Sequence, residues 1–280
     1  MMEIASNGPE PSGLVFFFIS ILAVTLHQKR KKSKKSGIDL ESVRKKLDER
    51  SELKSADSFS RRNYFPLYMS LHEAFQKLER RIQLDEGKRG IKEILLPEGE
   101  LLHAAVDIFH SKYVAVLTGF PCLLDYDPPT ETDGPLGAVA LVKALLLLGK
   151  KVVLLTDECN EQVLLACAAA ANLHEYGATS ETFSMQSFPA TFSEADEARF
   201  GELYASIDLL ISIERAGPNF EQKYLTMRKR DMTSIVAPLE YLALETAPAG
   251  SSFILRHDIK TIGIGNLLPS PTVLNQIILF

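Results

Sequence analysis

The stretch TGFPCLLDYDPPTETDGPLGA, Thr118 to Ala138, carries Asp125, Asp127, Glu131 and Asp133 between two of the most apolar segments of the chain. Carboxylates at this density suit a hard divalent cation such as Mg²⁺ or Mn²⁺, which takes oxygen ligands. They also suit proton transfer to and from a reacting group. Two more polar groups end apolar runs, Thr156-Asp157-Glu158 and Glu214-Arg215-Ala216-Gly217. Arg215 carries the planar fork that grips a carboxylate with two bonds. Gly119 and Gly134 allow close backbone approach. The N–H groups of a helix entered through Gly134-Pro135 suit an anionic group. Each residue also has a plain structural reading. Asp133 is placed to cap that helix and Asp157 to cap the next, while Glu214 and Arg215 could form a loop ion pair. Glu131 lies too far upstream to be a cap. Cys122 has no His in these loops to activate it and reads as a structural thiol. His103 and His174 fall within or beside helical patterns and read as packed or surface residues. There is no Walker A motif, and Gly263-Ile264-Gly265 is too short a fragment of a dinucleotide pattern to use, so no nucleotide cofactor is expected.

The elements around these residues follow from hydrophobic rhythm. Tyr113–Leu117 (YVAVL), Lys151–Leu155 (KVVLL) and Ile207–Ile213 (IDLLISI) read as buried strands, with further strands at Thr179–Phe183 and Ile259–Ile264. Helical patterns cover Pro66–Ile82, Gly99–His110, Leu136–Leu148, Glu158–Leu173 and Ser193–Tyr204. Alternating strands and helices with continuously apolar strands imply an α/β fold. Its mostly parallel sheet would have helices on both faces, a Rossmann-like three-layer arrangement preceded by N-terminal helices. In such a sheet ligands bind outside the carboxyl ends of the strands. One edge would then gather Glu131, Asp133, Asp157, Glu214 and Arg215. A loop as long as the one after Thr118, held between a packed strand and an apolar helix, is more often functional than not.

The chain's 280 residues suffice for one large or two modest cores. Its net charge of −5 does not point to nucleic acid. The charge is uneven: residues 100–200 hold 14 Asp and Glu against 5 Lys and Arg, and Lys29–Lys35 (KRKKSKK) is almost wholly basic. Three cysteines, Cys122, Cys159 and Cys167, make no CxxC and no paired framework, as expected of reduced thiols. Leu14–Leu26 is a continuous apolar run of about 20 Å as a helix, short against roughly 30 Å of hydrocarbon. It lacks the basic flank and small-residue cleavage site of a secretory signal. Its basic following flank leaves membrane contact through residues 14–26 open, with the C-terminal side cytosolic. The expected division is a leader with its basic segment over 1–37, a charged helix and linker over 38–64, and an α/β domain over 65–280.

At the quoted residues the chain resembles a known family. The segments RGIKEILLPEGELLHAA, VAVLTGFPC, PPTETDGPLGAVAL, GKKVVLLTDE and SIERAG are similar to the C-terminal domain of the D-glutamate cyclase family, which includes a mitochondrial animal enzyme and stand-alone prokaryotic relatives. TGFPC followed by ETDGP is the most specific part, and the similarity covers roughly Phe65 to Tyr241. The resemblance implies an α/β domain and a hydro-lyase that converts D-glutamate to 5-oxo-D-proline and water. It implies a small acidic substrate such as D-glutamate and a mitochondrial location. Thr118, Gly119, Glu131, Thr132, Asp133, Gly134, Asp157, Glu214 and Arg215 match motif residues. With the chemistry above, the expectation is catalysis by Glu131, Asp133 and Glu214. Substrate binding falls to Thr118, Gly119, Thr132, Gly134 and Arg215, and a Mg²⁺ or Mn²⁺ site to Glu131, Asp133 and Asp157. A non-catalytic module for a small acidic metabolite or a partner, membrane-tethered or not, is the alternative. The family continues with a GDGGNE-type segment where this chain reads NLLPSPTVLNQIILF. Strand 259–264 is therefore expected to be weakly held, with Val273–Phe280 lacking an obvious partner.

Overall fold

A computed structural model of the chain describes residues 64–82, 99–219, 221–242, 259–265 and 276–279. The apolar run 14–26 and the charged helix expected from Ile38 lie outside these residues. Among the described residues no helix is long and apolar enough to cross a membrane. The chain divides into two compact units, Met1–Phe75 and Gln76–Phe280. Of the first, only the start of helix α1 (Tyr64–Ile82) is described. The second unit carries everything that follows.

Its centre is a six-stranded sheet in the order β3-β2-β1-β4-β5-β6, parallel throughout. The strands are β1 (Tyr113–Gly119), β2 (Lys151–Asp157), β3 (Phe183–Phe188), β4 (Leu209–Arg215), β5 (Lys260–Gly265) and β6 (Gln276–Leu279). The apolar runs of β1 and β2 are buried along nearly their whole length, as a strand covered on both faces requires. The helices are α2 (Glu100–His110), α3 (Pro135–Leu147), α4 (Glu161–Ala170) and α5 (Glu194–Ser206). Helix α3 is apolar almost all round and packs on β1 and β2. On the other face, Phe200, Leu203 and Tyr204 of α5 join Ala115, Leu117, Val153, Leu155 and Leu210 in one core cluster. Glu79 of α1 is buried, and its carboxylate accepts from the Gly99 and Leu101 N–H groups at 3.0 and 3.1 Å. It thereby satisfies donors at the start of α2 that the helix itself leaves open.

Two expectations need correction. The third strand is Phe183–Phe188, not Thr179–Phe183. Thr179 and Thr182 instead hydrogen-bond each other and neighbouring backbone in a turn, a local alternative that Thr favours. Residues of the C-terminal apolar segment are not without a partner: β6 pairs with β5 along Ile262–Gly265. Parallel pairing of so short a strand leaves no period to read.

The chain runs β1, β2, β3 outward in one direction and then returns to place β4 on the other side of β1. The reversal puts a crevice between the carboxyl ends of β1 and β4, where doubly wound sheets bind ligands. The connection that leaves β1 here is the acidic loop 120–134, not a short glycine-rich turn.

Candidate functional site

Glu131 and Asp133 reach this crevice from the loop, and Glu214 from the end of β4. One carboxylate oxygen from each lies within 4.8 Å of the others. Asp133 is exposed; Glu131 and Glu214 are half-buried. Three carboxylates this close repel one another unless a cation or a proton lies among them. Such a cluster of carboxylate oxygens could hold a hard divalent ion.

The loop is held in place by several ties. Cys122 Sγ donates to Glu131 Oε2 at 3.1 Å. Burial, and then Glu131, push the Cys122 thiol up to about 11, so it stays protonated as that donor. Thr130 donates to Asn160. Asp125 forms a two-pronged pair with Arg230 at 2.6 and 2.8 Å, tying the loop tip to the segment after β4. Asp125 is thus accounted for by anchoring. Neither capping reading holds. The cap of α3 is Gly134, with φ of 78° and no side-chain hydrogen bond, so Asp133 does not close the helix. Asp157 likewise makes no side-chain cap to the short 3₁₀ turn after β2.

Glycine at 134 is required by crowding as well as by φ. A Cβ there would stand 2.8 Å from Thr118 Oγ1 and 3.1 Å from Glu214 Cβ. Thr118 is fully buried and its hydroxyl has no hydrogen-bond partner among the described residues, a polar atom left open beside Gly134. Gly119, with φ of 120°, faces Asn160 and Thr156, whose side-chain atoms lie 2.6 and 2.7 Å from where a Cβ would be. Its lack of a side chain serves packing within the chain. Thr132 is exposed on the loop.

Asp157 and Arg215 sit apart from the carboxylate trio and are paired with each other, both buried. The Asp157 carboxylate also accepts from the Ala237 N–H at 2.7 Å and from Asn160 at 2.8 Å. Arg215 donates onward to the Ala237 carbonyl at 2.6 Å and the Gly119 carbonyl at 3.4 Å. Burial works against the Arg215 charge, but Asp157, with Glu240 and Tyr224 also facing it, raises its pKa on balance. Tyr224 donates to buried Glu240 at 2.5 Å, and burial pushes both groups up.

Sequence reasoning passed over four contributors. Asn160 links Thr130 to Asp157 from the turn after β2, with only its position to betray it. Gly265 borders the Glu214 carboxylate, whose atoms lie 3.8 Å from where its Cβ would be, ordinary contact distance. Its signal was the Gly-Ile-Gly of β5. Tyr224 and Glu240 come from segments without periodic pattern.

The family model described as D-glutamate cyclase-like, C-terminal, matches residues 78–267. Human mitochondrial D-glutamate cyclase is 32% identical over 213 residues, covering 71% of this chain. The matched segment spans only 33% of that enzyme's own length. The matched range contains every member of the carboxylate trio and the Asp157–Arg215 pair, and the chain belongs to the D-glutamate cyclase-like C-terminal family.

Proposed function

We propose that the β1/β4 crevice binds a divalent cation of the Mg²⁺ or Mn²⁺ type together with a small acidic amino acid, and that the chain cyclises D-glutamate to 5-oxo-D-proline and water. The observation that supports this reading is the convergence of Glu131, Asp133 and Glu214 at a topological switch point, within a family related to a D-glutamate cyclase. The reaction forms an N–C bond between the amine and the γ-carboxyl carbon and breaks a C–O bond there. Two protons leave the ammonium nitrogen and depart with the oxygen as water, so nothing is oxidised or reduced.

A bound cation supplies the positive charge that makes a γ-carboxylate electrophilic. Glu131 and Glu214, the half-buried members, are assigned to hold it. Asp133, the exposed member, is assigned to take an amine proton and return it to the departing oxygen. The substrate α-carboxylate is received by the open N–H groups of Leu136 and Gly137 at the start of α3, because Pro135 has none to offer. Arg215 is not assigned this role: its two terminal nitrogens are taken by Asp157, Gly119 and Ala237. Asp157, bound by Arg215, is not assigned to the metal. Tyr224 and Glu240 lie behind this pair and back it. A mitochondrial location is the setting that the human relative's name suggests.

A second reading, a module that binds the same ligands without turning them over, draws on one fact: the similarity covers a third of the human enzyme. Chiral chromatography of 5-oxo-D-proline formed from D-glutamate, with Mn²⁺ or with chelator, separates the two. The expected result is Mn²⁺-dependent product, reduced about 10²-fold or more in Asp133→Asn. Calorimetric binding of Mn²⁺ and D-glutamate without product would favour the module. Neither binding nor product would defeat both.

A further inference from the structure

The end of β4 breaks the alternation of a strand. Leu210 belongs to the core cluster facing α5. The Ile213 side chain lies on the other face, 4.0 Å from where a Cβ of Gly137 in α3 would be. Uninterrupted alternation would send Glu214 to the α5 face and Arg215 towards α3. The pairing with β1 shows why this does not happen. Thr118 stands opposite Ile213, and Gly119 stands opposite Arg215, so Glu214 is the extra residue of a β-bulge. Its backbone is left-handed, with φ of 43°, a conformation that a glutamate seldom adopts. The bulge exchanges the faces of the two side chains, as a one-residue slip must. Glu214 turns towards Gly134, Gly265, Glu131 and Asp133. Arg215 turns to the face of Leu155 and Ala237, where Asp157 meets it.

Bulges near functional sites re-aim side chains, and backbone strain persists only where the surroundings hold it. We infer that Arg215 is a positioning residue: its links to Asp157, the Gly119 carbonyl and the Ala237 carbonyl lock the bulge that presents Glu214 to the carboxylate trio. The inference rests on the reading of that trio as the cation site. The three links come from β2, β1 and the segment after β4, so the fork ties three separate parts of the chain together at the residue next to the bulge. No element of β4 itself could supply this hold, because the strand ends there.

The test uses the full chain and two readouts, with Arg215→Lys as the variant. Lysine keeps the charge opposite Asp157 but loses the fork that reaches the two carbonyls. Mn²⁺ titration is performed on a double-mutant cycle with Glu214→Gln. The expected result is an affinity about tenfold lower for Arg215→Lys in the parent, and changed by less than about twofold in the Glu214→Gln background. An equal loss in both backgrounds, or none in the parent, overturns the inference. The second readout needs no metal. Glu214→Gly fits the left-handed backbone and removes one of three crowded carboxylates. It should raise the melting temperature by about 2–4 °C in the parent and by less in Arg215→Lys. A lowered melting temperature, or the same rise in both backgrounds, overturns it. A parent that binds no Mn²⁺ defeats the cation reading, and the thermal cycle then decides the role of Arg215 by itself.

Discussion

Cys122 illustrates how a residue can stand in a site and do no chemistry. Its thiol is half-buried, it donates to Glu131, and burial and Glu131 together push it up to about 11. The thiolate is the reactive form. Below about pH 11 it is a small fraction that grows about tenfold with each pH unit. Site-resolved iodoacetamide labelling of Cys122 should therefore climb steadily from pH 7 and level off only near 11. Glu131→Gln removes a charge and a charged acceptor, both of which raise the pKa, so labelling at pH 9 should become faster. Cys159, pushed up to about 12 by its burial and by Asp157, serves as an internal control that this substitution leaves alone. A Cys122 that labels at neutral pH as fast as a free thiol would contradict the contact with Glu131. Glu131, Asp133 and Glu214 were each legible from the sequence as candidates, because acidic residues just after apolar strands are conspicuous. Their partition was not. Alternation alone gives Glu214 and Arg215 the wrong faces, and only the bulge at 214 separates the trio from the Asp157–Arg215 pair.

Among the elements, α3 bears most directly on the site. It begins at a glycine with φ of 78°, in contact with Thr118 and Glu214, and is otherwise almost uniformly apolar. Gly134→Ala must both strain that backbone and push against Thr118 Oγ1. Urea unfolding should show a loss of about 1–3 kcal/mol, accompanied by weaker Mn²⁺ binding because Glu214 is displaced. Unchanged stability would mean that the start of α3 is looser than described. Four of the five described helices were readable within two residues because their apolar runs are long, as Leu136–Leu148 against Pro135–Leu147 shows, whereas the helix expected over Glu158–Leu173 is Glu161–Ala170, with its expected ends taken by 3₁₀ turns. Strand β3 was misplaced because it is an edge strand: five of its six residues are only partly buried, so its pattern carries little contrast. Strand β5 lies between β4 and β6, while β1 lies between β2 and β4 and is buried from Val114 to Gly119. Native-state hydrogen exchange should still find β5 opening before β1, since its two carboxyl-end residues are only partly buried. Equal protection of the two would show β6 to be a firmer neighbour than so short a strand implies.

At the scale of the molecule, the strand order explains why residues 83 positions apart in the chain, Glu131 and Glu214, share one crevice. The parallel fold was legible from strand-helix alternation, since continuous apolar strands need cover on both faces. The order of the strands was not, because nothing in a buried strand's composition says which neighbour it takes. Family membership agrees with a small acidic substrate, and the proposed function adds a divalent cation at the trio; the central claim is that placement. Anomalous diffraction at the manganese edge, from crystals of the full chain soaked with Mn²⁺, tests it most directly. The account predicts one strong peak within coordination distance of Glu131 and Glu214, beside Asp133, absent in crystals of Glu131→Gln combined with Glu214→Gln. A peak at Asp157 instead, or no peak in the β1/β4 crevice at saturating Mn²⁺, would contradict it.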